Sequence, residues 1–392
     1  MKINRDNAGL SVDLERMLGY LEQDAQNILL AFDVIDLCFA ENQLGLAQEV
    51  LGAIGDDDHP GVRNRVAIAA LRRNDARTAI DQLERLASAA DADGAVLYNL
   101  GYAHYIEGDY RRARSVLERW VARGGSVPGA ASLYVLCLQQ MGDTEAAVAF
   151  AEQSVQTGVD ASELKGVLAL IYLDTERDLV RCREYADAAL AANPDHPMAL
   201  IAAGSLAMMD EQPATAFALY KRVVQRNPAD GRAWSALGVS HLYQLDLPAA
   251  RAALETAVRH IPGHIGTWHA LAWVQLMQND VAAAERSYLK ALELDRNFGD
   301  THGGLAITAY LGGDKPRAKS LMERAQRLSP AGMTLQYLKL LQLQETGDQE
   351  AVQQFLKRAL ARSPGFRGHS ALDLMVRIGA LAPQHGDHSK LH

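Results

Sequence analysis

Apolar and small residues recur along this chain in blocks of helical length, and short polar or glycine-containing turns separate the blocks. Between residues 198 and 364 the blocks come in pairs, and each pair returns after 34 residues. The same residue type then stands at equivalent places in successive pairs: Gly204 and Gly238, Ala216 and Ala250, Pro228 and Pro262. A fixed period of this length predicts a two-helix repeat whose apolar face is buried by the neighbouring repeat.

The clearest copy opens with WSALG at 234–238, and Ala250 and Pro262 follow at fixed offsets. On these residues the chain resembles the tetratricopeptide repeat family. A large residue opens helix A, small residues at Gly238 and Ala250 let helix B pack close, and the proline stops helix B. The resemblance implies an all-α fold: a right-handed α-solenoid of about ten antiparallel two-helix repeats, with a capping helix at each end.

Pairs of turn-forming residues, such as Asn74-Asp75 and Gly108-Asp109, mark the turn between helices A and B and extend the register backwards. They place repeats that start near 28, 60, 94, 128, 163, 197, 231, 265, 299 and 333. Ser11 is the expected cap of a first helix over about 12–26. The predicted organisation is a capping segment in 1–27, repeat blocks in 28–160 and 163–366, a capping helix in 367–382 and a disordered tail in 383–392.

Composition narrows the class of protein. The 392 residues are 48% hydrophobic and 6% aromatic, which suits close helix packing and argues against disorder. The net charge of −9 opposes a general role in binding nucleic acid, because phosphate binding needs a basic surface. The sequence shows no secretory signal and no apolar run of membrane-spanning length, so we expect a cytoplasmic protein.

The sequence contains no recognisable catalytic, phosphate-binding or metal-binding motif, so neither an enzyme nor a cofactor is predicted. Cys38, Cys137 and Cys182 lie far apart inside predicted helices, which is typical of buried thiols in a reducing compartment. His104 and His241 fall where this family places an aromatic residue inside the hairpin, so we expect them in the core.

Arginines cluster in two stretches, residues 63–85 and 111–123. One interpretation is a solvated face whose arginines pair with neighbouring acids. The acids considered for this pairing are Asp75, Asp81, Glu84, Asp109 and Glu118. The alternative is an edge that steers an acidic partner towards the protein.

The family resemblance implies that A helices line a concave groove and that ligands contact particular helix-A positions. Projecting those positions onto this chain gives an aromatic and lightly charged set. The expected partner-binding residues are Tyr98, Tyr102, Tyr105, Met208, Tyr243, His269, Trp273, Tyr310 and Tyr337. The lysines and asparagines with which some members clamp a carboxylate are missing at these positions, so that clamp is not predicted.

The sequence therefore predicts a non-catalytic adaptor or scaffold that binds a protein or peptide segment in the groove through apolar anchors. One alternative is a chaperone for a secretion or surface-assembly client. Another is a regulatory subunit of an enzyme of polysaccharide or glycan synthesis. The sequence is also compatible with a homo-oligomer, because the end faces of solenoids can dimerise.

Overall fold

The computed structural model describes residues 10–55, 58–88, 92–122, 127–175 and 178–362, and every regular element in those ranges is an α-helix. The first helix, α1, spans Val12–Gln23, and ten helix pairs follow it in the chain. The first, or A, helices of the pairs are α2 (Ile28–Ala40), α4 (Pro60–Arg72), α6 (Gly94–Glu107), α8 (Ala130–Gln140), α10 (Ala161–Thr175), α12 (Pro197–Met209), α14 (Gly231–Tyr243), α16 (Ile265–Met277), α18 (Gly299–Leu311) and α20 (Met333–Glu345). The second, or B, helices are α3 (Leu44–Ile54), α5 (Ala76–Ala87), α7 (Tyr110–Val121), α9 (Thr144–Thr157), α11 (Leu179–Ala192), α13 (Pro213–Arg226), α15 (Leu247–His260), α17 (Val281–Leu294), α19 (Lys315–Leu328) and α21 (Gln349–Arg362).

The ten predicted repeats are confirmed, and eight A helices begin at the predicted residue. Helix α8 begins at residue 130 instead of 128, because Gly129 at its N-cap has a φ of +80°. Helix α10 begins at 161 instead of 163, because the carbonyl of Asp160 already accepts a hydrogen bond from the Leu164 N–H.

Contacts divide the chain into two compact units between Ile171 and Tyr172, inside α10. Unit 1 comprises the residues up to Ile171, and unit 2 the residues from Tyr172 onwards. The block boundaries at 160 and 163 stay a prediction. The capping helix expected in 367–382 and the tail in 383–392 lie outside the described residues.

Nine of the turns between an A and a B helix have the same two-residue design; the tenth, between α10 and α11, includes residues outside the described ranges. A residue with positive φ ends the A helix, and an aspartate usually follows as the N-cap of the B helix. The positive-φ residues are Asn42, Asn74, Gly108, Gly142, Glu211, Leu245, Asn279, Gly313 and Gly347. Asp246, for example, accepts a hydrogen bond from the Ala249 N–H at 3.2 Å. The predicted turn markers are therefore confirmed.

Leu245 and Glu211 are the unfavourable members of this series, because side chains other than asparagine or aspartate are sterically disfavoured at their φ values of 60° and 61°. Asparagine tolerates this conformation and occupies the same turn one repeat later, at Asn279. We expect Leu245→Asn to stabilise unit 2 by about 0.5–1 kcal/mol, seen as a higher Tm in circular dichroism. The reciprocal change Asn279→Leu is the control and should lower the Tm by a similar amount. A fall in Tm with Leu245→Asn would contradict the prediction.

Glycine on the A helix lets the B helix of the same repeat pack closely, as the sequence predicted. A Cβ atom on Gly238 would lie 2.6 Å from Leu254 Cγ, and one on Gly204 would lie 2.4 Å from Tyr220 Cε1. Ala250 on the facing helix is fully buried. A larger side chain at either glycine would therefore push the two helices of the hairpin apart.

Within each unit the A helices form the more tightly packed layer. Helix α6 contacts both α4 and α8, and α14 contacts both α12 and α16, whereas successive B helices in the described ranges make no comparable contacts. The A layer is consequently the inner, concave side of each unit, and the outer surface between neighbouring B helices is open.

Two A helices have a glycine as N-cap and are capped by an aspartate from elsewhere. Asp160 Oδ2 accepts a hydrogen bond from the Ala131 N–H at the start of α8, at 3.2 Å. Asp300 of α18 accepts from the Thr334 N–H at the start of α20 at 3.2 Å, and from the Thr334 hydroxyl at 2.8 Å. An aspartate outside the hairpin thus accepts from backbone N–H groups of the first turn, for which a glycine N-cap has no side-chain acceptor.

Helix α1 covers the beginning of the stack in unit 1. Ser11 caps it by accepting a hydrogen bond from the Leu14 N–H at 3.1 Å, as predicted, and Leu14, Leu18 and Leu21 are fully buried. The helix ends at Gln23, three residues before the predicted end. Asp24 and Asn27 instead form the turn that caps α2, where Asn27 accepts from the Leu30 N–H at 3.0 Å.

Cys38, Cys137 and Cys182 are free and buried, as expected. Burial raises the pKa of all three thiols, so each behaves as a small apolar residue. None of the helices in the described ranges combines the length and the apolar character that crossing a bilayer requires.

Candidate functional site

The three tyrosines predicted on α6 share one side of that helix, because their spacings of four and three residues correspond to one helical face. The Tyr98 and Tyr102 rings are nearly parallel, with an interplanar angle of 4° and ring centres 6.4 Å apart. Tyr102 is 39% exposed, whereas Tyr98 and Tyr105 are half-buried. Tyr102 is thus the member of this face that is free to contact another molecule.

Tyr98 anchors this face at the N-terminal end of α8. Its hydroxyl lies 3.6 Å from the position that a Cβ atom on Gly129 would take. Burial raises the pKa of Tyr98, and the nearby Tyr102, Asp160 and Glu163 raise it further. Two carboxylates therefore lie close enough to Tyr98 to disfavour ionisation of its hydroxyl.

Tyr105 anchors the other end of the face. Its ring meets that of Tyr110 on α7 edge-on, with ring centres 5.4 Å apart, and burial raises the pKa of its hydroxyl. Beyond it, a shallow cavity of about 530 Å³ is lined by Tyr110, Gln140 and Met141, and Met141 is 37% exposed. Tyr110 and Met141 were not predicted from the sequence, because the prediction considered only positions within A helices. Tyr110 lies on the B helix α7, and Met141 is the residue that ends α8.

Two of the residues predicted for the groove in unit 2 are buried. Trp273 of α16 and Tyr337 of α20 are 6% and 5% exposed, and their rings pack against each other with centres 5.2 Å apart. Their surface is therefore used in packing between repeats, and little of it remains for a partner. The cause lies on α18, where Gly303 lets α20 approach so closely that a Cβ atom there would lie 2.1 Å from Thr334 Oγ1.

His269 on α16 also lies between repeats of unit 2. Its Nε2 atom is 2.8 Å from Thr301 Oγ1, and its ring meets Tyr288 and Phe298 edge-on. Burial lowers the pKa of His269 to about 4, against a smaller opposing effect of Asp300. The imidazole is consequently neutral at physiological pH.

The His269–Thr301 hydrogen bond has an equivalent one repeat earlier, between Ser235 Oγ and Thr267 Oγ1 at 2.9 Å. Residues 235 and 269 are 34 positions apart, and so are residues 267 and 301, so the two hydrogen bonds occupy equivalent places in consecutive repeats. This spacing is visible in the sequence, but the prediction of groove residues was not based on it. These bonds join successive A helices and hold the concave layer of unit 2 together.

The other three predicted residues of unit 2 are partly exposed. Met208 of α12 and Tyr243 of α14 are intermediate in burial, and burial raises the pKa of Tyr243. The Tyr310 hydroxyl of α18 donates to Glu345, which also accepts from Lys315 Nζ at 2.8 Å. Tyr310 is thus engaged with the neighbouring repeat.

The arginine-rich stretches pair only partly with the acids expected from the sequence. Arg112 pairs with Asp109 and Arg114 with Glu118, as expected. Other arginines reach across to another repeat: Arg65 to Asp36, Arg77 to Glu107 and Arg119 to the Ala87 carbonyl. Asp75 was expected as a partner, but it caps α5 by accepting from the Thr78 N–H at 3.2 Å.

The two histidines assigned to hairpin interiors lie there. His104 is 3% exposed, and burial lowers its pKa, while the His241 ring meets Phe217 edge-on at 5.1 Å. The described residues hold no group of three or more histidine, cysteine or acidic side chains placed to bind a metal ion.

A family model described as tetratricopeptide repeat matches residues 66–131, 181–231, 201–265 and 235–297. The chain is a tetratricopeptide-repeat protein. The matched ranges lie on helix pairs of both units, and tetratricopeptide repeats outside them, such as α18–α19, keep the same order of A helix, turn and B helix.

Known tetratricopeptide-repeat and helical proteins resemble this chain to different extents. The general transcriptional corepressor ssn6 of Schizosaccharomyces pombe is 28% identical over 114 residues, which is 29% of this chain and only 10% of ssn6. The human IFIT1 dimer with m7Gppp-AAAA aligns over 95% of this chain and 94% of its own, with 17% identity and a TM-score of 0.54. A monomeric IFIT1 mutant with m7Gppp-AAAA aligns over 94% of this chain and 93% of its own, with 14% identity and a TM-score of 0.55. At these identities the solved structures establish the fold alone.

Proposed function

We propose that this protein is a non-catalytic scaffold that binds a segment of a partner protein on the A-helix face of unit 1. The site comprises Tyr98, Tyr102 and Tyr105, and the observation that carries the proposal is the exposed Tyr102 ring beside the anchored Tyr98 ring. Proteins that bind segments use such rigid aromatic side chains as anchors, because they bury much area at little entropic cost.

Anchoring supports affinity, because a preorganised surface loses little freedom on binding. Tyr98 and Tyr105 pack against a buried cluster that includes Leu117 and Leu133, so the flanks of Tyr102 are fixed before a partner arrives. The carboxylate of Asp160 beside Tyr98 favours a partner with a lysine or arginine at that end. The segment expected is therefore apolar at its centre and basic at one end.

The test replaces Tyr102 by alanine and compares partner capture and then affinity with those of the unchanged protein. We expect the affinity for the captured partner to fall at least about tenfold, because an exposed aromatic anchor is lost while the fold is kept. Tyr20→Ala is the matched control, since Tyr20 is 53% exposed on α1, away from this face. Trp273 is unsuitable as a test residue, because its removal would open a cavity.

Equal recovery with Tyr102→Ala and the unchanged protein would contradict the proposal. The IFIT1 structures contain m7Gppp-AAAA, so the same oligonucleotide serves as a comparison probe. Tighter binding of that probe than of any protein segment would also contradict the proposal. A constant stoichiometry with one enzyme would favour the regulatory-subunit alternative, and capture of an otherwise aggregating client would favour the chaperone.

The proposal places the protein in the cytoplasm, which its three free thiols support.

A further inference from the structure

Unit 2 carries a groove on its outer surface, between the B helices α15 and α17. Because these helices do not pack directly, α16 forms the floor, and the opening has a volume of about 540 Å³. We call it the B-face groove. Its apolar lining comprises Val258, Trp268, Leu271, Ala283 and Leu289.

The floor is rigid and partly open to solvent. Trp268 donates a hydrogen bond from Nε1 to the Pro262 carbonyl at 2.8 Å, which fixes the orientation of the indole. Leu289 on the rim is 40% exposed. The B-face groove therefore presents a fixed aromatic surface and an accessible leucine, which suits the insertion of one apolar side chain.

The rim has uncompensated positive charge. Arg251 pairs with Glu255 at 2.8 Å and Asp280 at 3.1 Å, and Lys290 pairs with Glu293 at 2.8 Å. By contrast, Arg259 and Arg286 form no ion pair within the described part of the chain, and Arg259 only donates to the Thr256 hydroxyl. Two exposed guanidinium groups thus line the groove without an ion pair, and Arg286 has only a longer-range interaction with Asp280, whose pKa it helps to lower.

The neighbouring B helices extend this charge, although the whole chain carries a net charge of −9. Helix α13 has three basic residues and α19 has five. Four of the eight already form ion pairs: Arg222 and Arg226 with Asp195, Lys315 with Glu345 and Arg317 with Glu285. The four others, Lys221, Lys319, Arg324 and Arg327, form no ion pair within the described residues and add positive charge on the helices that flank α15 and α17, which favours an anionic partner.

We propose that the B-face groove docks a short acidic segment of a partner protein. One apolar side chain of the segment lies against Trp268 and Leu289, and its carboxylates pair with Arg259 and Arg286. A protein segment fits better than nucleic acid, because Glu255 and Glu293 on the same rim would repel successive phosphates and the floor is apolar. This site is independent of the tyrosine face on α6.

The test measures the binding of a fluorescein-labelled synthetic peptide of about 14 residues, with leucines at every third or fourth position and glutamates between them, by anisotropy. The protein is the full chain. We expect Arg259→Glu/Arg286→Glu to weaken binding at least about tenfold. Binding of the glutamate peptide should also weaken as salt rises from about 50 to 300 mM, and a peptide with glutamine in place of glutamate should bind poorly.

Lys319→Glu/Arg327→Glu on α19 is the matched control, since it makes the same change of charge on exposed residues away from the groove. It should weaken binding less than about threefold. Tyr102→Ala should leave binding of this peptide unchanged, which separates the two sites. Equal losses with both charge reversals, no binding of the glutamate peptide, or tighter binding of oligouridylate would each overturn the proposal. Self-association that Arg259→Glu/Arg286→Glu abolishes would also overturn it, by assigning the groove to a second copy.

Discussion

Replacing Gly304 by alanine is expected to destabilise unit 2 by about 2–3 kcal/mol, even though alanine is the better helix former. The new Cβ atom would lie 2.3 Å from both Cε1 and Cζ of Tyr288. That ring is fully buried and meets His269 on another side, so it has no free volume to enter. Circular dichroism should show the Tm of unit 2 reduced by roughly 5–10 °C.

The control for Gly304→Ala is Gly52→Ala, because Gly52 lies inside α3 with no atom within 4 Å of the new Cβ position. That variant should gain about 0.5–1 kcal/mol from helix propensity. In a double-mutant cycle, Gly304→Ala should cost less in a Tyr288→Leu background, since the smaller side chain can yield. An unchanged Tm for Gly304→Ala, or additive losses in the cycle, would show that the ring is not confined.

Acidification from pH 6.5 to 4 is expected to cost unit 2 about 3 kcal/mol through His269 alone. Burial lowers the pKa of His269 to about 4 in the folded protein, whereas an unfolded histidine titrates near 6.5. Between these values the unfolded chain binds the extra proton and the folded chain does not. Stability is therefore complete above pH 6.5 and decreases as the pH falls towards 4.

The measurement is a urea unfolding series between pH 4 and 7, compared with that of His269→Gln. Glutamine stays neutral and retains a side-chain group that can bond to Thr301 Oγ1, so its pH profile should be flatter by about the same 3 kcal/mol. Other groups, among them His104 with its own lowered pKa, titrate alike in both proteins and cancel in the comparison. Parallel profiles for the two proteins would refute the assignment to His269.

The repeat register could be predicted from the sequence because each repeat contacts mainly its immediate neighbours. Gly204 and Gly238 therefore have the same role in consecutive repeats, and their spacing of 34 residues is visible in the chain. The turns could also be predicted, because a positive φ favours asparagine or glycine and the N-cap of the next helix favours aspartate. The deviations at α8 and α10 arise where Gly129 and Asp160 alter this local pattern.

The exposure of groove residues could not be predicted in the same way. Tyr102 and Trp273 occupy the same position in their A helices, yet one is 39% exposed and the other 6%. The difference comes from Tyr337, which belongs to α20, two repeats beyond Trp273. Gly303 permits that contact by letting α20 close on α18. A projection of positions from one repeat contains no information about such contacts between repeats.

Because Asp160 and Asp300 cap helices of other repeats, the repeats of this chain cannot all be moved or duplicated equally well. A hairpin that carries its own turn and cap aspartates could be excised, duplicated or transplanted by recombination with its helix ends intact. The repeat containing α20 depends on Asp300 of the preceding repeat, and α8 depends on an aspartate at the start of α10. Gene rearrangements at these two joints would leave a helix start without its acceptor, so the order of repeats there is fixed more firmly than elsewhere in the array.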